Sequence, residues 1–151
     1  MKVDELEYLR KNQKRTTMVI ANQLSKAFED SMNKMVESPI LKEKTARTAL
    51  IYLSYKNGVT QQELVRVTQM KGSTVSIAIS NLEKQGYVTK EANEYDMRSV
   101  KIYITSEGRR LATQIEAVLK DFEKKLMKGI TEHDSKIACY VLEKMLDNLI
   151  E

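Results

Sequence analysis

The chain is poor in the residues that would have tied it to chemistry or to a membrane. It has one Cys and one His in 151 residues, which excludes an internal disulfide and leaves too few soft ligands for a structural zinc. A reducing cytoplasm fits that usage best. There is no Trp, and no apolar run approaches the length needed to cross a bilayer. The first fifteen residues, MKVDELEYLRKNQKR, lack the apolar stretch of a signal peptide. One Pro and five Gly leave little room for loops, so most of the chain is expected to be helical. Neither a Gly-rich phosphate cradle, a Ser nucleophile elbow nor a paired Cys/His set is present, and a single His is a thin supply of general bases. The sequence therefore predicts no enzyme and no cofactor.

Present in their place are 42% hydrophobic and 30% charged residues, the proportions of an ordinary soluble globule, with a surplus charge of +4. That surplus permits a polyanionic partner without demanding one. Residues 129–151 carry more acids than bases; the remainder is mildly basic.

Periodicity predicts six helices and one hairpin. A long first helix carries Ile20, Leu24, Ala27, Phe28, Met32 and Met35 and ends before Pro39. A second, with Ala46, Ala49, Leu50 and Leu53, stops at Asn57 and Gly58. TQQE, Thr60 to Glu63, is a capping box that opens a short third helix turning Leu64 and Val67 inward. The turn MKGS follows, and Ser73 is placed to cap a fourth helix with Val75, Ala78, Ile79 and Leu82 on its buried side. From Tyr87 the period changes to two: YVTKE forms one strand, and Val100, Ile102 and Ile104 alternate with Lys101, Tyr103 and Thr105 in another. Thr105 or Ser106 then caps a long fifth helix with Leu111, Ile115, Leu119, Phe122 and Leu126, and a last helix carries Ile137, Val141, Met145 and Leu149.

Two short helices joined by a tight turn, the second polar outside and followed by a hairpin, are the parts of a winged helix-turn-helix. The fold class is mainly α with a small β-hairpin wing. The boundaries are one domain over 1–151, a winged helix-turn-helix region over 40–105, and long dimerisation helices over 1–38 and 106–151. The broad apolar stripes on those terminal helices favour burial against a second copy.

With the parts in place, the sequence resembles the MarR-type transcriptional regulators. The most specific portion is DMRSVKIYITSEG, where Asp96, Arg98, Thr105 and Gly108 fall as the family's wing signature expects, and NLEKQGYV resembles the family's frequent ending of the preceding helix. The resemblance implies a homodimer that binds a roughly palindromic operator in double-stranded DNA, often as a repressor. It also implies release by a small apolar or aromatic effector.

The expected DNA contacts follow from where polar and basic side chains fall. Ser76, Ser80 and Asn81 offer hydrogen bonds to base edges, and Ile77 either meets thymine methyls or turns against a neighbouring helix. Ser73 and Thr74 fit capping and phosphate contact alike, and Lys84 extends the same outer face. On the wing, Arg98 enters the minor groove with Asp96 orienting it, or the two form a salt bridge that shapes the hairpin. Lys90 and Lys101 are phosphate contacts or solvated strand residues. Family members commonly have basic residues where this chain has Ile77 and Asn81, and at the wing tip where this chain has acids. Those departures raise an alternative: a winged-helix dimer that binds protein without sequence-specific DNA recognition.

The remaining polar singletons have plain structural explanations. Cys139 is expected buried and inert, His133 belongs to a helix start, and the eight Met are core filler. Tyr8, Tyr52, Tyr55 and Tyr103 line an aromatic cleft or simply pack.

Overall fold

The computed structural model describes residues 16–35, 39–93 and 96–150, and the backbone alone for Leu41, Asn93 and 96–99. Among the described residues, six α-helices run in the order α1 (Thr17–Met35), α2 (Lys44–Tyr55), α3 (Gln61–Thr68), α4 (Gly72–Lys84), α5 (Ser106–Leu126) and α6 (Glu132–Asp147). A 3-10 turn, Pro39–Lys42, precedes α2. Three strands accompany them: β1 (Val59–Thr60) ahead of α3, then β2 (Val88–Asn93) and β3 (Asp96–Ile104) ahead of α5. Two compact units result, Met1–Ile115 and Glu116–Glu151.

In the first unit, α2, α3 and α4 pack on one another, and β2 and β3 pair antiparallel beside them. Leu50 and Leu53 of α2, Leu64 of α3, and Val75, Ile79 and Leu82 of α4 are fully buried. Val59, Val88, Ile102 and Ile115 close the same core. The helical stripes of α2 and α4 thus bury the residues that their spacing marks. Val67, expected inward on α3, is exposed, because a helix of only eight residues turns one narrow side to its neighbours. On α1, Met32 is buried whereas Ile20, Leu24 and Met35 are exposed. Val100, midway along β3, is exposed as well.

The sheet has one more strand than the predicted hairpin. Val59 and Thr60 pair with Ile102 and Lys101, giving the antiparallel order β1, β3, β2. A strand of two residues has no readable alternation, which is why periodicity missed it. It is held by the Asn57–Gly58 step, which does more than end α2: Asn57 Oδ1 accepts from the Ile104 N–H at 2.8 Å, and Gly58 takes φ +72. A Cβ on Gly58 would lie 2.8 Å from a ring carbon of Tyr103, so both the turn and the neighbouring ring require glycine there.

The caps follow the sequence only in part. Thr60 accepts from the Glu63 N–H at 3.3 Å, but Glu63 does not reach back as a capping box would. Its Oε1 takes instead the Tyr52 hydroxyl at 2.7 Å and the Lys56 ammonium at 2.5 Å, which pins α3 to the end of α2. A charged donor offers the carboxylate more than a backbone N–H would. Ser73 is not a cap either. Lys71 holds the N-cap of α4 and the helix starts at Gly72, so Ser73 and Thr74 lie within its first turn. Thr105 does cap α5, accepting from the Gly108 N–H at 3.0 Å while its hydroxyl donates to the Gly86 carbonyl at 2.7 Å.

A buried ion pair joins α1 to α2. Arg47, only 4% exposed, places its guanidinium 2.5 Å from Glu29 and donates to the Lys42 carbonyl at 3.0 Å. A buried charge is tolerated when a partner and extra hydrogen bonds replace its water.

In the second unit, α6 begins at Thr131, whose hydroxyl accepts from the Asp134 N–H at 3.1 Å and donates to the Asp134 carboxylate at 2.7 Å. His133 falls in that first turn, as expected. No residue of α6 is buried: Ile137 is 49% and Leu146 60% exposed, and Tyr140, Val141 and Leu142 are exposed with them. Cys139, expected buried, is exposed for the same reason, since no described residue covers this helix. Methionine is likewise only partly core filler, with Met32 buried and Met18 and Met70 exposed.

Candidate nucleic-acid interface

The helix-turn-helix is built from α3, three turn residues and α4. Gln69 makes the turn with φ +56, and its N–H still bonds the Val65 carbonyl at 2.9 Å. This is an αL ending carried by a residue other than glycine. Thr68 supports it, donating to the Leu64 carbonyl at 2.8 Å and accepting from the Met70 N–H at 3.4 Å. Across the turn, the Gln61 side-chain amide reaches the Gly72 carbonyl at 3.4 Å. The turn between the two helices is therefore held by side chains of α3, Thr68 at its end and Gln61 reaching across to the backbone of α4.

α4 is amphipathic in the sense that matters for a reading helix. Val75, Ala78, Ile79 and Leu82 fill the core, and Ile77 stands at the middle of the opposite side, 61% exposed. Ser73 and Lys84 are exposed at its two ends, and Thr74, Ser76, Ser80 and Asn81 lie around it half-buried. The sequence-predicted residues of α4 thus share one face, and the alternative of Ile77 packed on a neighbouring helix does not occur. No acid lies in the first turn of α4, which leaves the positive end of the helix dipole uncompensated by a carboxylate. Lys71, at the N-cap and exposed, adds a cation there. Sequence reasoning passed over Lys71 as a turn residue, although a basic residue just ahead of a predicted reading helix was a usable signal.

The wing is the β2–β3 hairpin, with a register shift between Ala92 and Asn93 near its tip. Asp96 and Arg98 belong to the β3 backbone, but their side chains lie outside the described residues. Lys90 is not a free strand lysine: its ammonium sits 2.7 Å from Glu83 Oε2 and ties β2 to α4. Lys101 is half-buried between Thr60 and Glu91 on the flanking strands. The structure thus groups the α4 residues on one helix, engages Lys90 with Glu83 at the end of that helix, and places Lys101 on the sheet.

Two open depressions flank the helix-turn-helix. One of about 320 Å³ lies beside the end of α4 and is lined by Pro39, Ile40, Glu43, Asn81, Lys84 and Gln85. The other, about 400 Å³, is lined by Tyr52, Lys56, Glu63, Arg66 and Val67. Of the expected aromatic set, Tyr52 alone lines either depression. Tyr55 is exposed, Tyr103 abuts Gly58, and Tyr8 falls outside the described residues. In the second depression the Lys56 hydrogen bond, then that of Tyr52, holds the Glu63 carboxyl below its usual range. Among the described residues no helix is long and apolar enough to cross a membrane.

These elements, in this order, define a winged helix-turn-helix protein. Residues 45–99 match the model of the MarR family. The chain is 27% identical over 105 residues to the uncharacterised HTH-type transcriptional regulator YwaE of Bacillus subtilis, covering 70% of this chain and 61% of that protein. The chain so spans less than two thirds of that relative. Among solved structures, it superposes on the MepR–DNA complex of S. aureus with a TM-score of 0.81 at 23% identity, over 90% of this chain and 99% of the other. The PcaV transcriptional regulator of Streptomyces coelicolor, solved with its natural ligand, gives 0.77 at 18% identity over 87% and 92%. At those identities the two superpositions establish the fold.

Proposed function

We propose that this chain is a cytoplasmic, DNA-binding transcriptional regulator that acts as a homodimer and represses from a palindromic operator. The observation that carries this is the outward face of α4, with short polar side chains around Ile77 and a hairpin wing following it. A helix of that kind fits a major groove, because Ser, Thr and Asn offer hydrogen bonds without holding the backbone away from the bases. Ser73 and Thr74, beside the helix start, are assigned to phosphate, and Ser76, Ser80 and Asn81 to base edges. Lys84, Lys90 and Lys101 are assigned to the DNA backbone. Asp96 and Arg98 are assigned to the wing's minor-groove contact. MepR, similar in fold, was solved bound to DNA.

The dimer rests on the exposed apolar residues of α1 and α6, which a second copy would cover. Two-fold symmetry in the protein asks for a palindromic site in the DNA. Release by a small apolar or aromatic effector rests on family resemblance and on PcaV having been solved with a ligand. Such an effector works by favouring one spacing of the two reading helices over another.

The test is binding of duplex fragments from the protein's own genome, followed by anisotropy over a range of salt. Affinity is expected to fall steeply as salt rises. Arg98→Ala is expected to reduce the log–log slope by about one for each phosphate it ceases to neutralise, or about two for a symmetric dimer. A folded protein whose binding to every fragment is absent, or indifferent to salt, overturns the proposal in favour of a protein-binding module.

A further inference from the structure

Ile77 occupies the centre of the exposed arc of α4. At 100° per residue, Ser73, Thr74, Ser80, Asn81 and Lys84 all lie within about 60° of it, and the core residues Val75, Ala78, Ile79 and Leu82 fall outside that arc. Its 61% exposure leaves a branched aliphatic side chain in water on an otherwise polar face. A single exposed aliphatic residue is ordinary on a protein surface; what singles Ile77 out is its place at the centre of the face assigned to DNA.

The charge of the face narrows the choice. Within α4 the one basic residue is Lys84, at its last position; the helix has no arginine. Guanine is read most often by Arg or Lys reaching O6 and N7, and on this face the one such residue, Lys84, stands at the helix end, away from its centre. The edges that do suit it are those of A·T pairs. Asn pairs with adenine N6 and N7, hydroxyls pair with either base, and an aliphatic group packs on the thymine C5 methyl.

Resting on the DNA-binding reading above, we infer that Ile77 is a specificity-determining residue that selects a thymine by its methyl group in each operator half-site, within an A·T-rich stretch facing α4. The single groove-centred contact is then apolar, and discrimination against cytosine arises from a missing methyl together with a mismatched hydrogen-bond pattern. Because Ile77 is 61% exposed and outside the core, its replacement reports chiefly on recognition.

The experiment uses the full-length chain and duplexes selected from a randomised pool. In the selected site, each thymidine is replaced in turn by deoxyuridine, which removes the methyl and leaves every hydrogen bond. Wild type is expected to lose about fourfold in affinity at one position per half-site, the value of one buried carbon; replacement in both half-sites then costs about an order of magnitude. Ile77→Ala is expected to bind the thymidine site more weakly, to bind random DNA as wild type does, and to be indifferent to the same deoxyuridine. Half-sites rich in guanine opposite α4, or a deoxyuridine penalty that is the same in wild type and Ile77→Ala, would overturn the assignment and leave DNA binding itself intact. A pool that returns no preferred sequence overturns both this assignment and the regulator reading.

Discussion

Helices α4 and α6 carry apolar stripes of similar kind and treat them in opposite ways. α4 sinks Val75, Ala78, Ile79 and Leu82 into a core shared with α2, α3 and the sheet, while α6 leaves Ile137, Val141, Leu142 and Leu146 in contact with solvent. Periodicity states that a face is apolar; it does not state what covers it. In α4 the cover lies in the same chain. In α6 no residue is buried among the described residues, and the second copy proposed above would supply the cover.

The comparison is broken most severely from inside the core. Leu53→Ala removes a fully buried side chain among close-packed neighbours and is expected to cost about 2–5 kcal/mol. Chemical denaturation would show it. Val141→Asp is expected to leave amide protection in α2 and α4 at wild-type levels while producing a monomer at micromolar concentration in sedimentation. A Val141→Asp protein that loses protection in α4, or one that remains a dimer, shows that the two regions do not divide the work in this way.

A smaller effect is expected where the wing runs into α5. Gly108 lies in the first turn of α5, and a Cβ there would stand 2.1 Å from the Tyr87 carbonyl oxygen and 2.8 Å from Ile104 Cγ1. Backbone cannot yield as a side chain's end can, so Gly108→Ala is expected to cost about 3 kcal/mol. Thr105→Val, which removes the cap and the bond to Gly86, should cost about 1–2 kcal/mol. Urea midpoints measure both. A Gly108→Ala variant as stable as wild type would mean that the joint can shift, and that the close approach is no constraint on where the wing lies.

The features legible in the sequence were those with a local period or a local chemistry. The core stripe of α4 was readable from Val75 to Leu82, the hairpin from the alternation around Ile102, and the Thr105 cap from its place before a helical run. Partners distant in sequence were not readable. β1 is two residues long and exists because Asn57 meets Ile104; Glu63 abandons its capping role because Lys56 and Tyr52 come within reach; and Lys90 is held by Glu83 across from α4. For the site, spacing alone put the polar residues of α4 on one face, but it could not decide whether Ile77 faced out. That depended on which neighbours α2 and α3 brought against the helix.

The mildest perturbation concerns the link between α2 and α3 and is read through pH. The Lys56 and Tyr52 hydrogen bonds lower the Glu63 pKa, in that order of weight and against the opposing effect of burial, while bonding to Glu63 raises those of Lys56 and Tyr52. A carboxyl whose folded pKa is depressed contributes stability above its ordinary range and loses it as pH falls through the folded value. For Lys56 and Tyr52, whose folded pKa values are raised, the contribution is present below their ordinary values and disappears as pH rises through the folded ones. Wild type should therefore exceed Glu63→Gln in stability most clearly between about pH 5 and pH 9, by a small margin, since solvent screens an exposed cluster. Urea midpoints of the two proteins are expected to draw together at the acidic end, where Glu63 is protonated and resembles the amide, and again at the alkaline end as Lys56 loses its charge. A margin that persists unchanged below the folded pKa of Glu63 would show that the amide disturbs packing and that charge does not fasten α3 to α2. The junction of α3 with α2 would then rest on apolar packing by Leu50, Leu53 and Leu64, and DNA affinity should follow the urea midpoint without any pH dependence from this cluster.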